Sequence, residues 1–153
     1  IEMNEEGVYN YKKLKGDKKK LVKIKNEEEN LKAILERGEL PKVYYNLNSS
    51  HLRAKSADKL DQIIEKMKNN EQLKLEINSY TDSRGDDKYN MKLSQQRTKG
   101  VISFLVSKGI SKDRLKGKGF GENKLVNECK DGVECPDKKH QMNRRTEFRF
   151  YKD

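Results

Sequence analysis

Tryptophan is absent from the 153 residues, and proline and cysteine occur only twice each. Apolar residues make up 32%, below the usual share, so the core is expected to be thin under a heavily solvated surface. No run of about 18 apolar residues exists, which excludes a membrane-spanning helix within this chain. The opening IEMNEEGVYN has neither an apolar signal core nor a leading methionine. The chain is therefore expected to be a processed or excised piece, with any leader or anchor outside it. A G-x-S-x-G elbow is missing, and His51 and His140 stand in polar stretches without an evident serine or cysteine partner. Both are read as surface residues, and an enzyme is not expected. GKGFGE at 117–122 is glycine-rich, but it lacks the Lys-Ser/Thr that completes a phosphate loop. Asp86 and Asp87 are two adjacent acids, too weak a signal for a cation site. Neither a metal nor a cofactor is expected.

What is abundant is charge: 39% of residues are charged, with a net +10. Such a balance raises nucleic acid first, because a basic surface gains affinity by releasing counterions from phosphate. The lysines are scattered among acids, however, and the aromatics do not interleave with arginine as a stacking surface requires. The charge is read mainly as a solvated face, with an acidic polymer or membrane surface as second reading. Nucleic acid is not expected as a partner. Cys129 and Cys135 flank KDGVE, whose Asp131-Gly132 dipeptide makes a turn that lets the thiols meet. A disulfide there would stabilise by roughly 2 kcal/mol on the chain-entropy model and imply an oxidising compartment. The rival, a metal site with His140, lacks zinc spacing and a fourth ligand.

Residues 1–40 read as a polar appendage or linker. NEEENLKAILERGEL predicts a short helix, with Asn26 as cap, Gly38 as terminator and Leu31, Ile34 and Leu35 as one apolar stripe. From residue 41 to 153 the pattern is that of a domain. KVYYNLN (42–48) predicts a strand; residues 56–70 predict an amphipathic helix with Ala57, Leu60, Ile64 and Met67 inward. LKLEINSY (73–80) alternates Leu73, Leu75 and Ile77 inward, as in a half-buried strand. A second helix is expected from about Lys88 to Lys108, with Leu93, Val101, Phe104 and Leu105 on one face and Gly109 ending it in a left-handed conformation. DRLKGKGFG (113–121) predicts a short strand and a glycine loop. RRTEFRFY (144–151) places Thr146, Phe148 and Phe150 on one face of a last strand. The expected class is α+β, a two-layer α/β sandwich: a βαβαβ-β mixed sheet with helices packed on one face.

The stretch SYTDSRGDDKYNMKLSQQR sets Asp82 at a strand end, Asn90 near a helix start, and Arg97 two turns further along a similar face. A carboxylate and a guanidinium offered together suit a ligand carrying both an ammonium and a carboxylate. An internal salt bridge between the two is the equal alternative.

YTDSRGDDKYNMKLSQQRTKGVISFLVSKGISKDRLKGKGFGENK, followed by NRRTEFRF, resembles the OmpA-like peptidoglycan-binding domain over about residues 42–151. The shared pattern is T-D-x-x-G, Y-N, L-S-x-x-R, G-I, R-L, G-x-G and N-R-R-x-E-F. That family is shared by outer-membrane proteins, the peptidoglycan-associated lipoprotein and flagellar stators. The resemblance implies non-covalent binding of peptidoglycan through the diaminopimelate of its stem peptide. It places Asp82 on the ammonium and Arg97 on the carboxylate. Thr81 and Asn90 take neighbouring hydrogen-bonding positions, and Leu93 lines the pocket. Asn143 and Arg144 fall on the strand edge that closes it, with Arg144 the contact and Asn143 and Arg145 more in keeping with framework. Asn46 falls where the family usually has aspartate, which removes a negative charge near the ammonium. Ser79-Tyr80 replaces the usual Gly-His, Leu125 replaces a proline, and the cysteine loop is an insertion. The implied location is the periplasm of a Gram-negative-type envelope, in a full-length protein anchored in the outer membrane, with no membrane insertion by this segment. The rival class is an interaction module that keeps the fold but binds a protein or another anion, using the lysines of 12–25.

Overall fold

In the computed structural model, residues 11–37 and 40–153 are described, and the chain divides into two units, Ile1–Arg37 and Gly38–Asp153. The first holds one helix, α1 (Tyr11–Glu36). It is longer than the short helix expected. Asn26 sits inside it and caps nothing, because the Lys-rich run before it contains no proline and consists largely of good helix formers. Gly38, the expected terminator, lies outside the described residues.

The second unit builds β1 (Val43–Tyr44), α2 (Ala54–Asn69), β2 (Lys74–Tyr80), α3 (Asp87–Ser107), a 3-10 turn (Lys112–Arg114), β3 (Leu115–Gly119), α4 (Asp137–Gln141) and β4 (Arg145–Tyr151). The sheet order is β1-β4-β2-β3; only the β2–β3 pair, joined through α3, is parallel. Register explains the layering. Leu75 faces Phe150, Ile77 faces Phe148 and Ser79 faces Thr146, so these six buried side chains share one face, while the Tyr80–Arg145 pair is buried on the other. The intervening residues make a solvated charge ladder, with Arg149 Nη2 2.7 Å from Glu76 Oε2. This is the expected α+β two-layer class, with the expected inward residues of β2 and β4.

Helix α2 buries Leu60, Ile63, Ile64 and Met67. Ala57, expected inward, is only half-buried, as is Phe104 of α3. The buried stripe of α3 runs Asn90, Leu93, Ser94, Arg97, Thr98, Val101, Leu105, polar in its first half and apolar in its second. Gly109 closes it at φ +97°, as expected. β1 stops at Tyr44, short of the strand expected over 42–48. Beyond it the Tyr45 carbonyl is taken by side chains of Arg144 and Gln141, and the chain turns with Asn48 at φ 56°.

Candidate functional site

Strand β2 ends at Tyr80 and delivers Thr81 and Asp82 into a turn. Thr81 N donates to Gly121 O at 2.9 Å, which ties that turn to the glycine loop, and Thr81 Oγ1 donates to Asp82 O. Asp82 Oδ1 accepts from Arg84 N at 3.0 Å, closing an Asx turn that Gly85 completes at φ +96°. Asp86 then caps α3, accepting from Lys88 N. Three helical turns later Arg97 arrives beside the chain it left.

Arg97 has no exposed surface. Its Nε donates to Ser49 O at 2.9 Å, one terminal nitrogen to Tyr80 O at 2.9 Å and the other to Asn46 O at 3.3 Å. The guanidinium lies 4.6 Å from the centre of the Tyr45 ring. Three of its five N–H groups are thus spent on carbonyls. Among the described residues no carboxylate pairs with it. Burial lowers its pKa to about 10, so it remains a cation at neutral pH.

Asp82 is as deeply placed, yet richly paired. Its Oδ2 accepts from Arg84 Nη2 at 2.8 Å and from Arg144 Nη1 at 3.1 Å. Burial alone would raise its pKa, but the Arg84 and Arg144 hydrogen bonds outweigh it and hold the carboxyl below its ordinary value. A carboxylate offers about four acceptor directions, and these bonds use three. Arg84 and Arg144 also share the exposed Asp137, each at 3.1 Å. The bonded cluster therefore holds two guanidinium groups and two carboxylates, and Arg97 adds an uncompensated positive charge near it. Asp82 and Arg97 do not bridge each other, so the internal salt bridge is not what this geometry contains.

The remaining expected residues divide into two groups. Asn90 is buried and donates to Arg84 O at 3.0 Å and weakly to Asp82 O, bracing the turn; Leu93 is buried on the same helix. Asn46 is exposed and contributes its carbonyl to Arg97, while its side chain meets Arg53 at 3.5 Å. Asn143 is fully buried, its amide committed to Val126 N and Asn127. Arg145 is likewise framework, packed 4.0 Å over the Tyr80 ring and donating to Lys124 O. Sequence reasoning missed Arg84, Asp137 and Tyr45, whose roles depend on contacts across up to 101 residues of chain. It also placed His140 on the surface; the residue is buried on α4, where the short helix packs it beneath the cysteine loop's end.

Cys129 and Cys135 form the expected disulfide. The loop it closes is coupled to the site at both ends: Ser83 Oγ donates to Cys129 O, and Asp137 follows two residues after Cys135. An open cavity of about 800 Å³ lies between the Ser83–Gly85 turn and this loop.

Beside the turn, Asp87, Glu122 and Asp131 bring carboxylate oxygens within 4.8 Å of one another. Burial, then the Asp87 hydrogen bond and the Asp131 charge, push the Glu122 carboxyl up to about 7. The folded state binds that proton more tightly than the unfolded chain, so this residue's contribution to stability is greatest in acid. It declines as pH rises from about 4.5 toward 7. Glu122→Gln is therefore expected to raise Tm by a few degrees at pH 8 and to change it little at pH 5. Equal shifts at both pH values in thermal melts would refute this.

The OmpA family pattern matches residues 44–138. Outer membrane protein A of Serratia marcescens is 38% identical over 86 residues, covering 55% of this chain and 24% of that protein. The chain thus corresponds to about a quarter of that relative's length. Among solved structures, the peptidoglycan-associated lipoprotein of Burkholderia pseudomallei superposes with a TM-score of 0.65 at 24% identity, covering 72% of this chain and 89% of that one. The cell wall anchor of the T6SS from Pseudomonas aeruginosa gives 0.57 at 19% identity, covering 72% and 76%. With the family pattern spanning more than half of its residues and the same strand and helix order beneath it, this chain belongs to the OmpA family.

Proposed function

We propose that the unit from residue 38 onward binds peptidoglycan non-covalently, through the diaminopimelate of the stem peptide, and tethers an envelope protein to the cell wall. The observation that carries this reading is Arg97: a buried cation with two unspent N–H groups and no carboxylate partner among the described residues. A desolvated guanidinium is costly until an anion pairs with it, and a ligand carboxylate supplies one in forked geometry. Asp82, with one unfilled acceptor direction, takes the ammonium on the same carbon of the ligand. Arg144 orients Asp82, Asn90 and Thr81 hold the turn, and Leu93 lines the floor. Asn46 and Asn143 shape the rim and the backing. Arg97 is enclosed, so access requires the exposed 46–49 turn or the half-exposed Arg84 side chain to move aside.

The names of the structural neighbours, a peptidoglycan-associated lipoprotein and a cell wall anchor, support the same reading. The disulfide favours an oxidising periplasm, and a membrane-anchored location outside this segment fits the relatives named for the outer membrane. Modest affinity suffices, because a sacculus presents many copies of the ligand to a tethered domain. No bond-breaking step is invoked; the action is binding.

Co-sedimentation with purified sacculi tests the proposal. Free meso-diaminopimelate at millimolar concentration is expected to release the protein, whereas cadaverine (1,5-diaminopentane) at equal ionic strength is not, since neither of its ammonium groups has a carboxylate on the same carbon. Equal release by cadaverine or by sodium chloride would assign retention to the basic surface and overturn the reading.

A further inference from the structure

Helix α3 and strand β3 enclose between them an open groove of about 1020 Å³ that neither Asp82 nor Arg97 lines. Met91, Ile102, Val106 and Phe120 supply its apolar surface, and Lys99, Lys112 and Lys118 its charge; no residue lining it is acidic. None of the three lysines forms an ion pair among the described residues; Lys118 only overlies the Phe120 ring. Strand β3 ends the sheet, hydrogen-bonded to β2 on one side. Its other edge has no strand beside it among the described residues. The GKGFG run shapes this edge. Gly119 approaches α3 so closely that a Cβ there would lie 2.5 Å from Ser94 Oγ and Gln95 N. Glycines at 117 and 119 keep the strand tight on the helix and leave main chain, not side-chain bulk, beside the groove.

Lysines on a free edge ordinarily guard it against pairing with further copies of the same chain, and a net charge of +10 reinforces that guard. The same charge admits an occupant of opposite sign. We propose that this groove binds an extended acidic segment of a partner protein, added as a strand to β3. Alternate apolar residues of the segment seat on Ile102, Val106 and Phe120, and its carboxylates pair with Lys99, Lys112 and Lys118. Main-chain hydrogen bonds supply the affinity and the lysines supply the sign preference. The surface is separate from the Asp82–Arg97 site, so the proposal does not depend on peptidoglycan binding.

The test is fluorescence anisotropy on the full chain with three labelled probes of about eight residues. One alternates glutamate and valine, one alternates lysine and valine, and one is the glutamate peptide with backbone N-methyl groups at alternate positions. The glutamate peptide is expected to saturate with micromolar Kd, and the other two to bind at least about tenfold more weakly. Lys99→Glu/Lys112→Glu/Lys118→Glu is expected to weaken the glutamate peptide by about tenfold or more. Val106→Asp, at an exposed position, provides the same test should the triple variant fold poorly. No saturation up to about 1 mM, equal binding of the lysine or N-methylated peptide, or unchanged affinity in both variants would overturn the proposal.

Discussion

Arg97→Lys is expected to lose retention on sacculi by at least thirtyfold in affinity while the protein still folds. A lysine keeps the positive charge but offers a point ammonium, not a planar fork, and it cannot serve three carbonyls and a ligand together. Removing one partner of a buried charged hydrogen-bonded pair costs roughly 2–5 kcal/mol of binding, which sets that lower bound. The substitution also leaves some of Ser49 O, Tyr80 O and Asn46 O short of a donor. Each buried acceptor left unpaired costs about 1–3 kcal/mol, so a lower urea midpoint is expected with it. Pelleting is therefore compared at a temperature where circular dichroism shows both proteins folded. A folded Arg97→Lys protein that pellets like the parent would remove Arg97 from the binding site and leave it a purely structural brace.

Asp82→Asn is expected to be the most destabilising change among the site residues. Arg144 is almost fully buried, and Asp82 is its buried counter-charge; the other, Asp137, is exposed. Breaking a buried pair by neutralising one partner costs about 3–5 kcal/mol, because the remaining charge stays desolvated. The pH dependence gives an independent signature. Asp82 has a lowered pKa in the folded state, so its contribution is present above the unfolded carboxyl value of roughly 4. It is lost as pH falls through the folded value. Urea unfolding at pH 7 and pH 3 is expected to separate parent and variant widely at pH 7 and by less at pH 3. A constant difference across that range would show that the lost stability comes from packing rather than from ionisation. Loss of sacculus retention is expected as well, since the asparagine amide brings no charge to an incoming ammonium.

These two residues also show how unevenly the site could be read along the chain. The T-D-x-x-G turn, the helix start and the arginine fifteen residues after the aspartate are local features, and they place Asp82 and Arg97 at one mouth. Whether the two pair with each other was undecidable from spacing. The fold resolves it by inserting Arg84 and Arg144 against Asp82 and by giving Arg97 three carbonyls from the 46–49 turn and the end of β2. Asn143 adjoins Arg144 on the strand edge that closes the pocket, and its amide is turned inward to hold Val126 and Asn127, in keeping with the framework reading. His140 looked solvated because its neighbours are lysines. A short helix after the disulfide loop nevertheless turns one side inward, and the histidine occupies it.

The sequence by itself determined the inward residues of β2 and β4, the extent of α2 and α3 to within a few residues, the glycine that stops α3, and the cysteine pair. Each of these follows from periodicity or from the conformational needs of a single residue, and both are properties of a few neighbours along the chain. Only the tertiary structure decided the strand order, the early end of β1, the Asp82–Arg84–Asp137–Arg144 cluster, the solitary charge of Arg97 and the lysine-rimmed groove beside β3. Those depend on which distant segments converge and which polar groups lose water when they do. Desolvation and partner choice are set by packing in three dimensions, and no spacing along one dimension encodes them.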